Sequence, residues 1–552
     1  MLGGVFLSQR THIAQTKMNH LDSLNYPYVS RRNAVFAKNG MVATSQPLAA
    51  QAGLNILQKG GNAIDAAIAT AAALSVVEPT ANGIGGDCFA LIWHKDHLHG
   101  LNASGPAPMS LSLDKVHGLG YQEMPKWGPL PVTIPGTPAA WAAMNERFGT
   151  LALSDTLAQA IELALEGFPV SPSIAYSWTQ QHQEFKKNLT QEYFHHWFDT
   201  FAPRGAPHPG ELIRLPHHAE TLSSIAQSQA NSFYRGDLSQ KIAAFMSKIG
   251  GFIQESDLDA FNVEWCEPIS VNYRGHEVWE IPPNGHGLVA LMALNILKGF
   301  DFTDRDSLQT YHHQIEAIKL AYSDGFAHIS EPSHMRVSVK DLLSDDYASI
   351  RRKLIGSQAR IPIAGIPPKG GTVYLSTADK FGNMVSMIQS NYMGFGSGLV
   401  VPGTGISLHN RGNNFSLQAG HPNVIEPGKR PYHTIIPGFL TKGGKAIGPF
   451  GVMGGFMQPQ GHVQMVMNTV DFGLNPQASL DAPRWEWKEG NKVAIERSTS
   501  EHLFYGLEGL GHEVAWNNNR VALGRGQIIW RNDEGILCGG TEPRTDGAVA
   551  AW

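Results

Sequence analysis

A turn-forming run of five residues, Pro367 to Gly371, separates a helix-rich first part of this chain from a strand-rich last part. Each proline in PPKGG lacks a backbone donor and the glycines favour tight turns, so neither a helix nor a strand is expected to continue through the run. The run leads directly into TVYLSTA, which begins at Thr372 and favours a strand. A threonine therefore stands at the first position of a new strand, immediately after two glycines.

The composition is that of a globular protein of enzyme size. Of 552 residues, 42% are hydrophobic and 16% are charged, and the net charge is -5. This balance provides no basic field for a nucleic acid or an anionic membrane, so we expect neither as a partner. The three cysteines, Cys88, Cys266 and Cys538, are too few and too far apart to predict a disulfide framework or a cysteine zinc site.

The N-terminus does not resemble a secretion signal. Its apolar run is too short for a signal-peptide core and no basic segment precedes it, and no window approaches a membrane span. We therefore expect a cytoplasmic protein. Residues 1–35 are interpreted as a poorly ordered leader, with Met18 as an alternative start.

Helix signals dominate before the run and strand signals after it. Ser45 and Asn62 are predicted N-caps of two alanine-rich helices, the first of which ends before Gly60. A third helix is expected after the turn at Pro135 and Gly136. This mixture predicts an α+β fold.

The strand that starts at Thr372 is predicted to form a β-hairpin with the segment that follows the turn sequence DKFGN. If Ala378 pairs roughly with Asn383, the register brings Thr372 beside Gln389 or Ser390. A second hydroxyl group is therefore expected next to the first.

A threonine hydroxyl needs a base before it can act as a nucleophile. Its own α-amino group, with a pKa of about 7.7 to 8.0, is a compact solution. That amine exists only after the chain is cut between Gly371 and Thr372, and a glycine there leaves its carbonyl unshielded and tolerates strain. By itself, however, a Gly-Gly pair before a strand favours an ordinary loop.

Several sequence blocks that span nearly the whole chain favour the self-cutting threonine over an ordinary loop. In order, they are GGNAIDAAIATAAALSVVEPTANGIGGDCF, GPAP, VTIPGTPAAW, GGTVYLSTADKFGN, FGSGLVVPGTGISLHN, GKRPYHTIIP and GGTEPRTDGAVAAW. Together they resemble the γ-glutamyltransferase family of N-terminal nucleophile hydrolases.

The resemblance implies a proenzyme with a four-layer αββα sandwich that cuts itself before the threonine. Residues 36–371 would become the large chain and residues 372–552 the small catalytic chain, both within one αββα domain. The partners implied are these two chains, a small-molecule amide substrate and an amine or water acceptor, with a homodimer of heterodimers left open. Neither a cofactor nor a metal is implied.

The resemblance also implies roles for individual residues. Thr372 corresponds to the nucleophile and Ser390 to the hydroxyl beside it, and we expect Asn391 and Ser390 to orient the nucleophile. Gly454 and Gly455 correspond to the backbone donors that stabilise the oxyanion.

The residues that grip the amino-acid part of the substrate in this family are not matched. Ser104 is nearest to the place of the family's arginine, and Asn414 replaces an aspartate that binds an ammonium group. His433 and Thr434 replace two serines, and Tyr392 replaces an asparagine. We expect these residues to line an altered acyl pocket.

Arg411 stands where family members more often carry a glutamine. Its planar guanidinium suits a carboxylate, so it is a candidate anchor for an acidic acyl group; an ordinary structural arginine is the alternative. In these details the chain is similar to the branch with YwrD-like glutathione hydrolases, glutaryl-cephalosporin acylases and oxamate amidohydrolases. We therefore predict an amidohydrolase or acyltransferase that cleaves a γ-glutamyl or similar acyl amide, with an oxamate or glutaryl-cephalosporin type of substrate as the alternative.

Two other classes of function are alternatives. His312 and His313 form one of several histidine pairs, and Glu316 lies one turn later, but without an HExxH motif a metal hydrolase is not favoured. A catalytically silent protein that binds an acidic metabolite is the other alternative. Whether the chain is cut distinguishes it from a self-processing enzyme.

Overall fold

The computed structural model describes Tyr28 and residues 32–362, 371–519 and 522–552. Most of the predicted leader and the residues from Pro367 to Gly370 lie outside this set. Val35, the last residue of the predicted leader, already pairs with Gly539 in a β-sheet. Residue 35 therefore belongs to the folded part of the chain, contrary to the prediction.

Two antiparallel sheets of seven strands form the centre of the molecule. The strands of the first sheet are, in spatial order, β1 (Val35–Ala37), β18 (Leu537–Thr541), β17 (Arg525–Arg531), β13 (Lys445–Met453), β12 (Gly438–Lys442), β9 (His276–Glu280) and β8 (Ile269–Tyr273). Those of the second sheet are β19 (Ala548–Ala551), β2 (Gly40–Thr44), β10 (Gly371–Asp379), β11 (Met384–Tyr392), β3 (Asp87–His94), β4 (His97–Ala103) and β7 (Glu264–Cys266).

The two sheets pack face to face through apolar side chains. Trp93 of β3 stacks on Phe439 of β12, with 5.9 Å between ring centroids. Gly451 of β13 leaves room for the ring of Tyr374 of β10, since an added Cβ would lie 2.5 Å from that ring. This close approach brings the last residues of β13 alongside the start of β10.

Helices cover the outer faces of both sheets. The second sheet is covered by α1 (Pro47–Gln58), α2 (Ala63–Val77) and α4 (Thr137–Phe148), with α5 (Leu153–Glu166) packed on α2. The first sheet is covered by α12 (Gly287–Leu297), α16 (Gln458–Val470) and α17 (Pro476–Asp481), with α13 (Leu308–His328) packed on α12. The resulting order of helix, sheet, sheet and helix confirms the predicted αββα sandwich. No described helix combines the length and the apolar composition needed to cross a lipid bilayer.

The remaining helices and strands lie outside this four-layer sandwich. The helices are α3 (Leu113–Gly118), α6 (Pro172–Asn188), α7 (His195–Phe201), α8 (Pro216–Ser228), α9 (Asn231–Arg235), α10 (Asp237–Lys248), α11 (Glu255–Asp259), α14 (Val339–Leu342), α15 (Asp345–Arg352) and α18 (Glu501–Gly509). Two smaller sheets consist of β5 (Phe168–Pro169) with β6 (Leu212–Ile213), and of β14 (Trp485–Glu489), β15 (Lys492–Glu496) and β16 (Glu513–Asn517). Short 3₁₀ turns span Glu192–Phe194, Pro332–His334, Arg411–Asn414 and Gly455–Met457.

The helix caps test the local sequence signals. Asn62 caps α2 as predicted, and Asp65 completes a reciprocal capping box with it. For α1 the prediction is wrong by one residue, because the side chain of Gln46 folds back onto the first free N–H groups. Ser45 instead donates a hydrogen bond to the buried carboxylate of Glu78.

Gly136, the N-cap of α4, provides a test of the packing between helix and sheet. Its N–H donates to Gly86 at 2.9 Å, and a Cβ added to it would lie 1.9 Å from the carbonyl oxygen of Ala103. Because the backbone must shift to admit a methyl group, Gly136→Ala should lower the free energy of unfolding by about 3 kcal/mol, measured by urea denaturation.

The matched control is Gly118→Ala at the end of α3, where an added Cβ meets nothing within 4 Å. This variant should be unchanged, or more stable by up to about 1 kcal/mol, because alanine is the better helix former. Equal losses in both variants would contradict the packing explanation.

Candidate active site

β10 and β11 form the predicted hairpin. Ala378 pairs with Met384, one residue away from the expected partner Asn383. The hairpin is therefore confirmed, and its register differs by one residue at the turn.

A β-bulge interrupts the hairpin at its open end. Gly371 pairs with Tyr392, whereas Val373 pairs with Gln389, so two residues of β11 face Thr372 alone. Bulges commonly re-aim side chains next to active sites. At the same end Tyr392 has a φ of 73°, a conformation that costs a non-glycine residue about 1–2 kcal/mol.

The hydroxyl of Thr372 lies among other polar groups. Its Oγ1 is 3.2 Å from Oγ of Ser390 and 3.5 Å from Nε2 of Gln458. Ser390 Oγ also accepts the N–H of Tyr392 at 2.8 Å. Thr372 is only 1% exposed, so a substrate reaches it only after the surrounding chain rearranges.

The predicted oxyanion glycines follow the end of β13. Gly454 and Gly455 have φ values of 136° and 59°, which side-chain-bearing residues adopt only with strain. They lead through a short turn to Gln458, whose side chain reaches Thr372. The two glycines therefore stand just before a residue whose side chain reaches Thr372, and their oxyanion role stays a prediction.

Asp87, which the sequence analysis overlooked, lies on the other side of Ser390. The two residues are direct partners in the pairing of β3 with β11. The Asp87 carboxylate is fully buried and lies 2.9 Å from His433 Nε2, 3.2 Å from His409 Nδ1 and 3.7 Å from Arg411 Nε. Burial alone would raise the pKa of Asp87, but the two histidines outweigh it and hold the pKa well below its ordinary value.

His433, one of the predicted pocket residues, is neutral. Its Nε2–H donates to Asp87, and its Nδ1 accepts the N–H of Ile435 at 3.3 Å. Burial, assisted by the charge of Arg411, lowers the pKa of His433 to about 3.

Arg411 is fully buried and only partly paired. Its Nη1 donates to Thr434 Oγ1 at 2.6 Å, and its guanidinium lies 4.2 Å from the centroid of the Tyr392 ring. Among the described residues, its Nε and Nη2 have no hydrogen-bond partner. Burial lowers the pKa of Arg411 to about 10, although Asp87 opposes this. The positive charge of the buried Arg411 is therefore only partly compensated.

Two positions where the family grips an amino acid are occupied internally. Asn414 accepts the Tyr392 hydroxyl hydrogen at 2.6 Å and donates to the carbonyl of Tyr432 at 3.0 Å. Ser104 donates to Asn102 at 2.7 Å and also lies within hydrogen-bond distance of Asn284. Neither side chain is left to bind an ammonium or carboxylate group.

Asn391 lies in the site but does not hydrogen-bond to Thr372. Both polar atoms of its amide are buried and unpartnered among the described residues. An added Cβ on Gly83 or Gly86 would lie about 3 Å from this amide, so both glycines leave room for it. The expectation that Asn391 orients the nucleophile gains no hydrogen bond here.

A surface cavity of about 460 Å³ ends next to this cluster. Its wall includes Ser104 together with Glu264, Glu331 and Arg430. The residue after Ser104 donates its N–H to Asp87 at 3.2 Å. The cavity is therefore a candidate approach to the site.

Within the described part of the chain, one group of side chains could hold a metal ion. His312, Glu316 and His512 offer ligand atoms within 4.8 Å of one another. These atoms already have partners, since His312 contacts His512 at 2.9 Å and Glu316 accepts from Lys319 at 2.7 Å. The group belongs to α13 and to the residue just before β16, outside the contacts that surround Thr372.

Three residues of the cluster escaped sequence analysis: Asp87, His409 and Gln458. Asp87 and His409 stand inside the sequence blocks given above, in GIGGDCF and LHN. The available signal there was an acidic residue or a histidine beside small residues. Gln458 begins QPQGHVQ, a run whose polar residues gave no reason to prefer the first.

Comparisons with known proteins match the chain over most of its length. A family model described as Gamma-glutamyltranspeptidase matches residues 49–552. The chain is 36% identical over 530 residues to the Glutathione hydrolase-like YwrD proenzyme of Bacillus subtilis (strain 168), covering 94% of this chain and 99% of that protein. It is 34% identical over 528 residues to the Oxamate amidohydrolase proenzyme of Klebsiella pneumoniae subsp. pneumoniae, covering 93% and 98%.

A solved structure is similar over the same span. The crystal structure of cephalosporin acylase from Bacillus halodurans matches with a TM-score of 0.93 and 60% identity, covering 97% of this chain and 99% of that one. The similarity therefore includes both sheets and both helical layers.

The depressed pKa of His433 predicts an acid-sensitive fold. Between pH 6.5 and about 3 the unfolded chain binds a proton on this residue that the folded chain does not, so stability falls as the pH falls below 6.5. Relative to His433→Gln, which cannot titrate, the unmodified protein should lose about 2 kcal/mol between pH 7.5 and 5.0. Urea unfolding of both proteins at both pH values measures this loss of stability. An equal change in the free energy of unfolding in the two proteins would contradict the prediction.

Proposed function

Because this chain belongs to the gamma-glutamyltranspeptidase family, whose members include self-processing amidohydrolases, we propose that Thr372 is its nucleophile and that its substrates are amides of acidic acyl groups. The protein is accordingly an enzyme, a proenzyme that is processed into subunits and acts on small molecules. The choice of acyl group is the specific part of the proposal.

Self-cleavage starts from the uncut strand. Thr372 Oγ1 attacks the carbonyl carbon of Gly371. A C–O bond forms, the Gly371–Thr372 C–N bond breaks, and the hydroxyl proton ends on the Thr372 nitrogen. Water then hydrolyses the ester, so that Gly371 gains a carboxylate and Thr372 regains its hydroxyl. The products are a large chain that ends at Gly371 and a small chain of residues 372–552.

Turnover uses the amine that cleavage releases. The α-amino group of Thr372 accepts the hydroxyl proton while Oγ1 attacks the substrate amide, and Gly454 and Gly455 N–H groups stabilise the oxyanion. The leaving amine takes a proton and departs, and the acyl group passes from Oγ1 to water or to an amine acceptor. Ser390, at 3.2 Å, orients the hydroxyl before the proton leaves.

The observation that carries the choice of acyl group is the state of Arg411. Its Nε and Nη2 are buried and have no hydrogen-bond partner among the described residues, and Asp87 at 3.7 Å is too far away for a hydrogen bond. A substrate carboxylate that accepts from these N–H groups completes the hydrogen bonding of a buried cation. Arg411 is thus the proposed anchor, with Thr434 and Tyr392 holding it in place.

The same site does not favour recognition of an α-ammonium group. The Asn414 amide is engaged by Tyr392 and Tyr432, and Ser104 is engaged by Asn102. Glutaryl and oxamate-type acyl groups have the carboxylate and lack the ammonium. We therefore place them ahead of the γ-glutamyl group of glutathione, which shares the carboxylate.

Thr372→Ala should leave a single chain of 60.0 kDa, because it removes the attacking oxygen, while Thr372→Ser should still be cut. A denaturing gel of the purified proteins checks this, with N-terminal sequencing of the smaller band expected to start at residue 372. The control is Ser376→Ala, a buried hydroxyl in the same strand that bonds Tyr374 and should still process.

Cleavage of the alanine variant would refute the proposed self-cutting. An intact chain in the unmodified protein after prolonged incubation would instead support the silent binding protein.

Arg411→Met should lower kcat/KM for a glutaryl amide by about 100-fold, because a charged hydrogen bond is worth about 1.5–3 kcal/mol. The uncharged butyryl amide with the same leaving group is the matched substrate, and its kcat/KM should change by less than about threefold. The double variant Asp87→Asn with Arg411→Met removes both buried charges and separates loss of recognition from misfolding. Equal losses on both substrates in a folded variant would contradict the anchor role.

A further inference from the structure

We infer that Gln458 is a catalytic hydrogen-bond donor to the hydroxyl oxygen of Thr372, acting in both self-cleavage and turnover. The inference rests on the proposed role of Thr372 as nucleophile. It adds to that role a residue from α16, the helix that follows the two oxyanion glycines.

The orientation of the Gln458 amide follows from its other contact. Its Oε1 accepts the backbone N–H of Ile436 at 2.9 Å, which assigns the oxygen to that side. Nε2 therefore faces Thr372, 3.5 Å from Oγ1, and an amide NH₂ can only donate. The side chain is fully buried, so bulk solvent does not reach the contact.

This donor directs the proton of Thr372. Because Oγ1 accepts from Gln458, its own hydrogen is free to point to Ser390 Oγ at 3.2 Å in the uncut chain. After cleavage the new amine of Thr372 takes over as acceptor of that proton. In both states the donated hydrogen bond leaves a lone pair on Oγ1 for attack.

The chemistry benefits most as charge develops on the oxygen. When Oγ1 gives up its proton, the N–H of Gln458 stabilises the negative oxygen, since a hydrogen bond to the charged form lowers the pKa of the group. A contact of 3.5 Å is at the outer limit of hydrogen bonding in the resting state. Such contacts tighten when the acceptor becomes charged, and that differential strengthening accelerates a reaction.

Other glutamines of α16 show what a structural role looks like. Gln464 is as buried as Gln458, but its Nε2 donates to the carbonyls of Gln460 and Trp485, and its Oε1 accepts the N–H of Trp485. It connects the helix to β14 through backbone groups. Gln458 differs because its donor reaches a reactive side chain.

The test compares Gln458→Met with Gln464→Met, two substitutions of similar shape that each remove one buried amide from the same helix. For Gln458→Met we expect self-cleavage and the kcat of the processed enzyme each to fall by about 10- to 100-fold, with KM changed by less than about threefold. For Gln464→Met we expect a lower melting temperature with both rates within about twofold of the unmodified protein.

Gln458→Glu provides a readout that a structural role would not move. It places a carboxylate next to the amine of Thr372, which raises the pKa of that amine and shifts the acid limb of kcat/KM to higher pH by about half a unit or more. A folded Gln458→Met with rates equal to Gln464→Met, or an unshifted acid limb, overturns the inference. If Thr372→Ala is also cut in the same experiment, the nucleophile assignment itself has failed, and not the role of Gln458 alone.

Discussion

The pairing of β11 between β10 and β3 is the constraint on which the site depends. It places Ser390 between Thr372, its neighbour across the bulge, and Asp87, its partner on the other side. A shift of one residue in either ladder would send these side chains to opposite faces of the sheet. The proposed nucleophile and the proposed acyl pocket are therefore positioned by the same strand, and mainly by backbone hydrogen bonds.

Asp87 gives the pocket its electrostatic character. A buried carboxylate is tolerated only with partners, and here a neutral histidine, a second histidine and an arginine surround it. The same carboxylate partly compensates Arg411 and so limits how strongly the arginine attracts an anion. Under the proposed anchoring, substrate selection depends on the Nε and Nη2 groups of Arg411, which Asp87 leaves without a hydrogen bond. This criterion is geometric as much as electrostatic.

Local signals predicted much of this arrangement, and long-range assembly supplied the rest. The cap at Asn62 and the hairpin that begins at Thr372 follow from neighbouring residues, and both were found in the sequence. The contact between His433 and Asp87 joins residues 346 positions apart, so no local pattern could reveal it. Resemblance to a family located Ser390 and the glycine pair, but not Asp87 or Gln458, whose importance comes from what they touch.

The order of strands also determines how the processed molecule behaves. The proposed cleavage before Thr372 would leave β10 and β11 of the small chain between β2 and β3 of the large chain. In the other sheet, β12, β13, β17 and β18 of the small chain would lie between β1 and β9 of the large chain. The two polypeptides are interdigitated in both sheets, and parting them would open five backbone ladders and expose their edges to aggregation. Denaturation of the mature enzyme should thus be a one-way event, since its fragments never folded apart from each other, and neither can be exchanged for a fresh copy.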